Sequence, residues 1–157
     1  DAVLIWEDMC YRSGPLISPE MFRKFILPGY KKLTAFVRER GIKVVEVDSD
    51  GDVWKLIPLW IEGGVTALYP VEVAAGMNVA EVRKQFPKLG MHGGIDKRAL
   101  IEGKEAIDRE LEAKIPFMLK HVGYIPTVDH LVPPDVSFSH FKYYREKLNQ
   151  MIEKAGK

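Results

Sequence analysis

Five times along this chain a short apolar run is followed by a helical pattern, and no other property of the sequence narrows its fold as far. AVLIW, IKVVEVD, VTALYP, KLGMHGG and YIPTVD have the length and the β-branched or aromatic content of buried strands, which places strands near 2–6, 42–48, 65–69, 88–92 and 124–128. Between them lie amphipathic stretches. Ser18 followed by Pro19 starts a helix that carries Phe22, Phe25, Ile26, Leu33, Phe36 and Val37 on one stripe, with Pro28 expected to kink or divide it and Gly41 to stop it. Residues 53–64 predict a short helix interrupted by Pro58, 78–86 one capped by Asn78, and 104–123 a longer one with Ile107, Leu111 and Ile115 at helical spacing. The stretch 137–156 closes the chain, with Phe141, Leu148, Met151 and Ile152 facing inward.

Strands that alternate with amphipathic helices imply βα units and a parallel sheet, an α/β fold. Five units in 157 residues are about 31 residues each. Eight would need roughly 250, the size of a (β/α)8 barrel. A doubly wound open sheet is the rival, but no G-x-G-x-x-G follows any strand.

Charge narrows the partners. Lys plus Arg is 23 and Asp plus Glu is 22, a net charge of +1, which gives no reason to expect nucleic acid or an anionic membrane. The single cysteine, Cys10, excludes an internal disulfide and makes reducing cytosol the expected compartment. No apolar run reaches ~18 residues. The chain lacks an initial Met and begins directly in a strand, so a fragment is expected, a single partial domain over 1–157.

The strand ends carry the chemistry. The first ends in Glu7 and Asp8, and the second in Glu46, Asp48 and Asp50 before Gly51. The third is followed by Glu72, the fourth carries His92, and the fifth ends in Asp129 and His130. In a parallel βα fold these tips share one face, where active sites are assembled. Carboxylates gathered there repel one another, and a bound cation would remove that cost. Carboxylate and imidazole together suit Zn, Fe or Mn, so Asp48, Asp50, Glu72, His92 and His130 form the expected ligand pool. Asp52 and Asp135 are explained as helix caps, and Cys10 as an inert thiol. His121 is explained by a helix end and His140 by the surface. Trp54, Trp60, Tyr143 and Tyr144 read as core or interface.

Three stretches carry a family resemblance. AVLIWEDMCYRSGPLISPEMFRKFILPGYKKL resembles the middle of the uroporphyrinogen decarboxylase superfamily, where a strand ending in an acid precedes LSP..F..F..P..K. LGMHGGIDKRAL is similar to its QG.lDp..L strand, and GYIPTVDHLVPPDVSFSHFKYY to its last strand and helix, with the pattern GH.V.PD.P. The resemblance covers nearly the whole chain. It implies strands four to eight of a (β/α)8 barrel, with the amino-terminal three units absent.

That superfamily implies one of two chemistries: cofactor-free decarboxylation of uroporphyrinogen, or zinc-dependent methyl transfer to or from a corrinoid carried by a partner protein. In the methyltransferases a His-x-Cys pair and a final Cys bind zinc. By position these fall on Asp48, Asp50 and His130, so no thiolate is kept, and Glu72 or His92 would have to substitute. The decarboxylase's substrate carries eight carboxylates and calls for a basic cleft, whereas the mouth expected here is acidic. Methyl transfer is therefore the favoured expectation, with Glu7 and Asp8 as acid–base groups and Arg12 and Asp129 as contacts to a small-molecule substrate. The alternatives are a decarboxylase and a piece inactive alone, whose open sheet edges self-associate or pair with the absent units.

Overall fold

The computed structural model describes residues 1–156, and in it the five apolar runs form one parallel sheet. Its strands are β1 (Ala2–Trp6), β4 (Val44–Asp48), β5 (Ala67–Tyr69), β6 (Gly90–Ile95) and β7 (Tyr124–Val128), paired in that order. A small antiparallel hairpin, β2 (Cys10–Tyr11) and β3 (Gly14–Pro15), follows β1. The helices are α1 (Pro19–Met21), α2 (Leu27–Glu39), α3 (Ile57–Glu62), α4 (Val79–Gln85), α5 (Lys97–Glu102), α6 (Lys104–Met118) and α7 (Phe138–Ala155).

Alternation along the strands sorts side chains to two faces. Val45 and Val47 of β4 are buried among the helices, in a cluster with Phe22, Leu27, Tyr30, Trp60, Val79 and Val82. Each such aliphatic side chain taken fully out of water contributes about 1.5–3 kcal/mol. A second cluster joins Ile95 of β6 to Leu100, Ile107, Leu111, Ile115, Tyr144 and Leu148 of α5, α6 and α7. Among the described residues no helix covers the opposite face. There Leu4 pairs in register with Glu46, Glu46 with Ala67, and Ala67 with Gly90. One row higher, Trp6 pairs with Asp48, Asp48 with Tyr69, and His92 with Ile125. Leu4, Trp6, Val44 and Ile125 are exposed on this side.

The prolines act differently from expectation. Pro58 does not interrupt a helix; it occupies the first turn of α3, so the helix begins at Ile57 rather than near 53. Pro28 likewise sits in the first turn of α2, and the strain it would cause is absorbed by a π-helical turn over Phe22–Ile26. That wider turn rotates the apolar stripe. The buried positions are Phe22, Leu27, Tyr30, Thr34 and Val37, a step of five and then steps of three and four, while Phe25, Leu33 and Phe36 are exposed. The helix α6 ends at Met118, not near 123; the Lys120 and His121 N–H groups donate back to the Phe117 and Met118 carbonyls in a closing turn.

Candidate functional site

All five strands run the same way, so their carboxyl ends deliver the expected residues to one rim. After β1 the chain stays tied to β4, because the Glu7 N–H donates to the Asp48 carbonyl at 2.8 Å. Asp8 then accepts from the Asp50 N–H at 3.4 Å and from the Trp6 indole at 3.2 Å. Ser49, buried between Asp48 and Asp50, accepts from the Met9 N–H at 3.3 Å and holds the loops after β1 and β4 together.

Gly51 is required where it stands. Its φ is +88°, and a Cβ there would lie 2.8 Å from the backbone of Cys10 and Tyr11. This close approach seats the β2–β3 hairpin against the β4 tip. The Gly51 N–H in turn donates to the Glu72 carboxylate at 2.9 Å. The result is a cleft of about 570 Å³ lined by Asp8, Arg12, Asp50, Glu72 and Arg98, among others. Arg98 is already committed, its guanidinium donating to both oxygens of Asp96 at 2.7–3.1 Å. The carboxylates in and around the cleft outnumber its free cations.

That excess of negative charge shows in proton affinity. Burial raises the pKa of Glu7. Burial also raises Asp48, with the charges of Asp50 and Asp8 adding to the effect and His130 opposing it. Asp50 is raised by burial, partly offset by His130 and reinforced by Glu72 and Asp8. Tyr69 is pushed up by burial and then by Asp48 and Asp50. Cys10, in the same region, is buried, and burial and the nearby Asp52 push its thiol up to about 12, which disfavours the nucleophilic thiolate at neutral pH.

The imidazoles fall into two separate pairs. His130 places Nε2 at 3.5 Å from Asp50 Oδ2 at the rim. His92 turns toward the lower row, its Nδ1 3.7 Å from Glu46 Oε1 and its ring 4.7 Å from that of Tyr69. The small side chains of Ala67 and the absence of one at Gly90 leave space in that row. The Glu46 partnership was not expected from sequence, although the two-residue spacing of Glu46 and Asp48 puts both on the uncovered face.

Zinc has no ready-made ligand set here. Among the described residues no group of three His, Cys, Asp or Glu side chains stands close enough to hold a metal ion. Asp50 and His130 form one pair, His92 lies with Glu46, and Glu72 binds a backbone N–H. Asp48 has the other acids for neighbours. The donor types fit a divalent cation, but in this chain they stand in separate pairs and not as one set of three or four.

Asp129 departs most from expectation. It does not face the cleft but is fully buried, accepting from the Val73 N–H at 2.8 Å and the Lys97 N–H at 3.2 Å, with the Lys97 ammonium 3.5 Å away. A carboxylate so engaged has little left for a substrate. His140, expected at the surface, instead bonds the Leu100 carbonyl through Nδ1 at 2.9 Å. Asp52 is not the helix cap expected of it: α3 starts five residues later at Ile57, and the Asp52 carboxylate accepts from the Trp54 N–H at 3.1 Å in the turn before it. His121 lies in the turn after α6, beside Phe117. Among the described residues no helix is long and apolar enough to cross a membrane.

Comparison with known proteins places this geometry. The family profile of uroporphyrinogen decarboxylase (URO-D) matches residues 1–151. A uroporphyrinogen decarboxylase from Hyphomonas neptunium is 28% identical over 137 residues, covering 86% of this chain and 38% of that protein. Among solved structures, a methyltransferase from Methanosarcina mazei superposes with a TM-score of 0.60 at 18% identity, covering 94% of this chain and 42% of the other. The chain thus spans about two fifths of these relatives, and its five parallel βα units are part of a barrel of the (β/α)8 kind. With nearly its whole length matched by the profile, the chain belongs to the uroporphyrinogen decarboxylase family, of which it carries the carboxy-terminal part.

Proposed function

We propose that this chain is the mouth-bearing part of a one-carbon transferase, one that passes a methyl group between a small substrate and a corrinoid carried by a partner protein. The observation that carries the reading is the cluster of Glu7, Asp8, Asp48, Asp50 and Glu72 at the strand tips, three of whose carboxyls are held above their usual proton affinity. A polyanionic porphyrinogen would be repelled by such a mouth, whereas a neutral or cationic methyl donor would be drawn to it.

The acids also suit the proton balance of the reaction. When a methyl group leaves oxygen, nitrogen or sulfur, the bonding electron pair stays on the heteroatom, which then needs a proton. A carboxyl with a raised pKa, Glu7 or Asp48, donates that proton to the departing heteroatom. His130, standing against Asp50, returns a proton to the mouth from solvent. The corrinoid, when docked, supplies the methyl acceptor or donor. Decarboxylation is the second reading, favoured by Arg12 and Arg98 in the cleft, though Arg98 is spent on Asp96.

The test combines this chain with the amino-terminal part of a URO-D-family relative. Demethylation of a panel of O-, N- and S-methyl compounds is followed by the visible spectrum of a reduced corrinoid, beside carbon dioxide release from uroporphyrinogen. Methyl transfer that falls at least about tenfold in Glu7→Gln or Asp48→Asn supports the reading. Carbon dioxide release without methyl transfer overturns it.

A further inference from the structure

We infer that Asp129 is a positioning residue, which acts on the mouth through the loop after β5 and sets Glu72 in the cleft. The inference deepens the proposed function, since it assigns what fixes one of the mouth's carboxylates, but it stands on geometry alone.

The loop in question, residues 70–76, is held from several sides. The Pro70 carbonyl accepts from the Gly94 N–H at 2.9 Å, and it lies so close to β6 that a Cβ on Gly93 would meet it at 2.1 Å. Val71 follows with φ of +53°, a left-handed conformation that a β-branched residue adopts only under constraint. Its side chain is buried, so the strained backbone is what allows residue 71 to point inward and residue 72 outward. Glu72 then binds the Gly51 N–H at 2.9 Å, and Val73 donates to Asp129 at 2.8 Å.

Asp129 lies at the tip of β7, and its other oxygen takes the Lys97 N–H at the start of α5. One carboxylate therefore binds the loops after β5, β6 and β7. The only two hydrogen bonds described from the backbone or side chain of residues 72 and 73 to distant residues bracket a single peptide: Glu72 to Gly51 on one side, Val73 to Asp129 on the other. The carbonyl of that peptide accepts only from within the loop, from the Ala75 and Met77 N–H groups at 3.2 Å each, so releasing Asp129 leaves the loop tied to itself but not to β7, and takes Glu72 away from Gly51. The chain of contacts runs from Asp129 through Val73 and Glu72 to Gly51 and the neighbouring Asp50, although Asp129 has no hydrogen bond to either of the last two.

Amide hydrogen exchange of the intact chain tests this without substrate, so its outcome is separate from that of the methyl-transfer assay. Asp129→Asn keeps the shape and one acceptor. Protection should fall about tenfold at Val73 and also at Gly51, while Val47 in the centre of β4 keeps its own. Glu72→Ala should expose Gly51 and leave Val73 protected. Retained Gly51 protection in Asp129→Asn would overturn the inference, as would an equal loss at Val47, which is what general destabilisation produces. Should Asp129→Asn fail to fold, Val73→Pro removes only the donor; Glu72, at φ −69° and ψ 111°, already has the extended backbone a following proline needs. In that variant Gly51 should lose protection while Lys97 retains it, and an unchanged Gly51 would again rule out the coupling.

Discussion

His130 lies 3.5 Å from Asp50 although β7 and β4, the strands that deliver them, are separated in the sheet by β5 and β6. The pair closes the rim of the mouth from one side to the other. An imidazole beside one carboxylate supplies two donors, and a zinc site needs three or four from the protein. Titration of zinc into the metal-free chain in a calorimeter should therefore give no one-to-one site at micromolar protein. A stoichiometric site that His130→Ala abolishes would show that the carboxylates regroup around the ion.

Asp48 gives a pH signature. Its pKa is raised, first by burial and then by Asp50 and Asp8, so the folded state holds the proton more tightly than the unfolded chain does. Ionisation therefore opposes folding. The penalty is absent below the ordinary value of 3.8 and builds up as pH rises through the raised value, so stability contributed at this position falls with rising pH. Asp48→Asn removes the penalty. Solvent screening keeps the effect small, about 1–3 °C in melting temperature at neutral pH, and the gain should vanish near pH 3.5. A variant that melts lower at pH 7 would mean that the carboxylate is a net stabiliser.

The uncovered sheet face sets the third expectation. Leu4, Trp6, Val44 and Ile125 are exposed there, and β1 and β7 each present an unpaired edge. Apolar side chains and open edges of this kind seek cover. Sedimentation over a range of concentrations should show self-association of the chain, weakened in Trp6→Glu. An amino-terminal βα fragment from a relative should compete with it. A monomer at all concentrations would show that the rim loops and the polar side chains of Glu46 and His92 suffice to keep the face apart.

The strands were legible because β-branched runs such as AVLIW and KVVEV have few other ways to bury themselves, and Ala2–Trp6 and Tyr124–Val128 match the expected bounds to the residue or nearly so. Helix phase was less legible. Phe25, Leu33 and Phe36 satisfy a straight-helix stripe, and only the π-turn before Pro28 rotates them to the surface. At the site, sequence spacing brought Asp48, Asp50, Glu72 and His130 to one rim, since parallel strands must deliver their tips together. It could not say which way each side chain turns. Asp129 and His130 are neighbours, yet one is buried under the loop after β5 and the other reaches Asp50, because adjacent residues past a strand end point to opposite sides. Glu46 was read as part of a stripe, and its contact with His92 depends on Gly90 and Ala67 being small, a matter of packing between strands rather than of any one segment.

Val71 supplies the last and most local prediction. At φ +53° the ordinary advantage of alanine over glycine should disappear. Val71→Ala loses two buried methyl groups, about 1.5 kcal/mol, and keeps a Cβ in a left-handed conformation that costs about 1–2 kcal/mol. Val71→Gly loses one carbon more, about 0.8 kcal/mol, and gives the unfolded chain more backbone entropy to lose on folding, a cost of roughly 0.5–1 kcal/mol, but sheds the conformational strain. These opposing contributions nearly cancel, so Val71→Gly should be as stable as Val71→Ala to within about 0.5 kcal/mol, whereas at a buried residue with negative φ the same two costs leave glycine the worse by about 1.3–1.8 kcal/mol. Urea unfolding of the two variants side by side measures the difference. Glycine falling well below alanine would mean that Val71 is not held in the left-handed region, and with it would go the constraint that turns Glu72 toward Gly51.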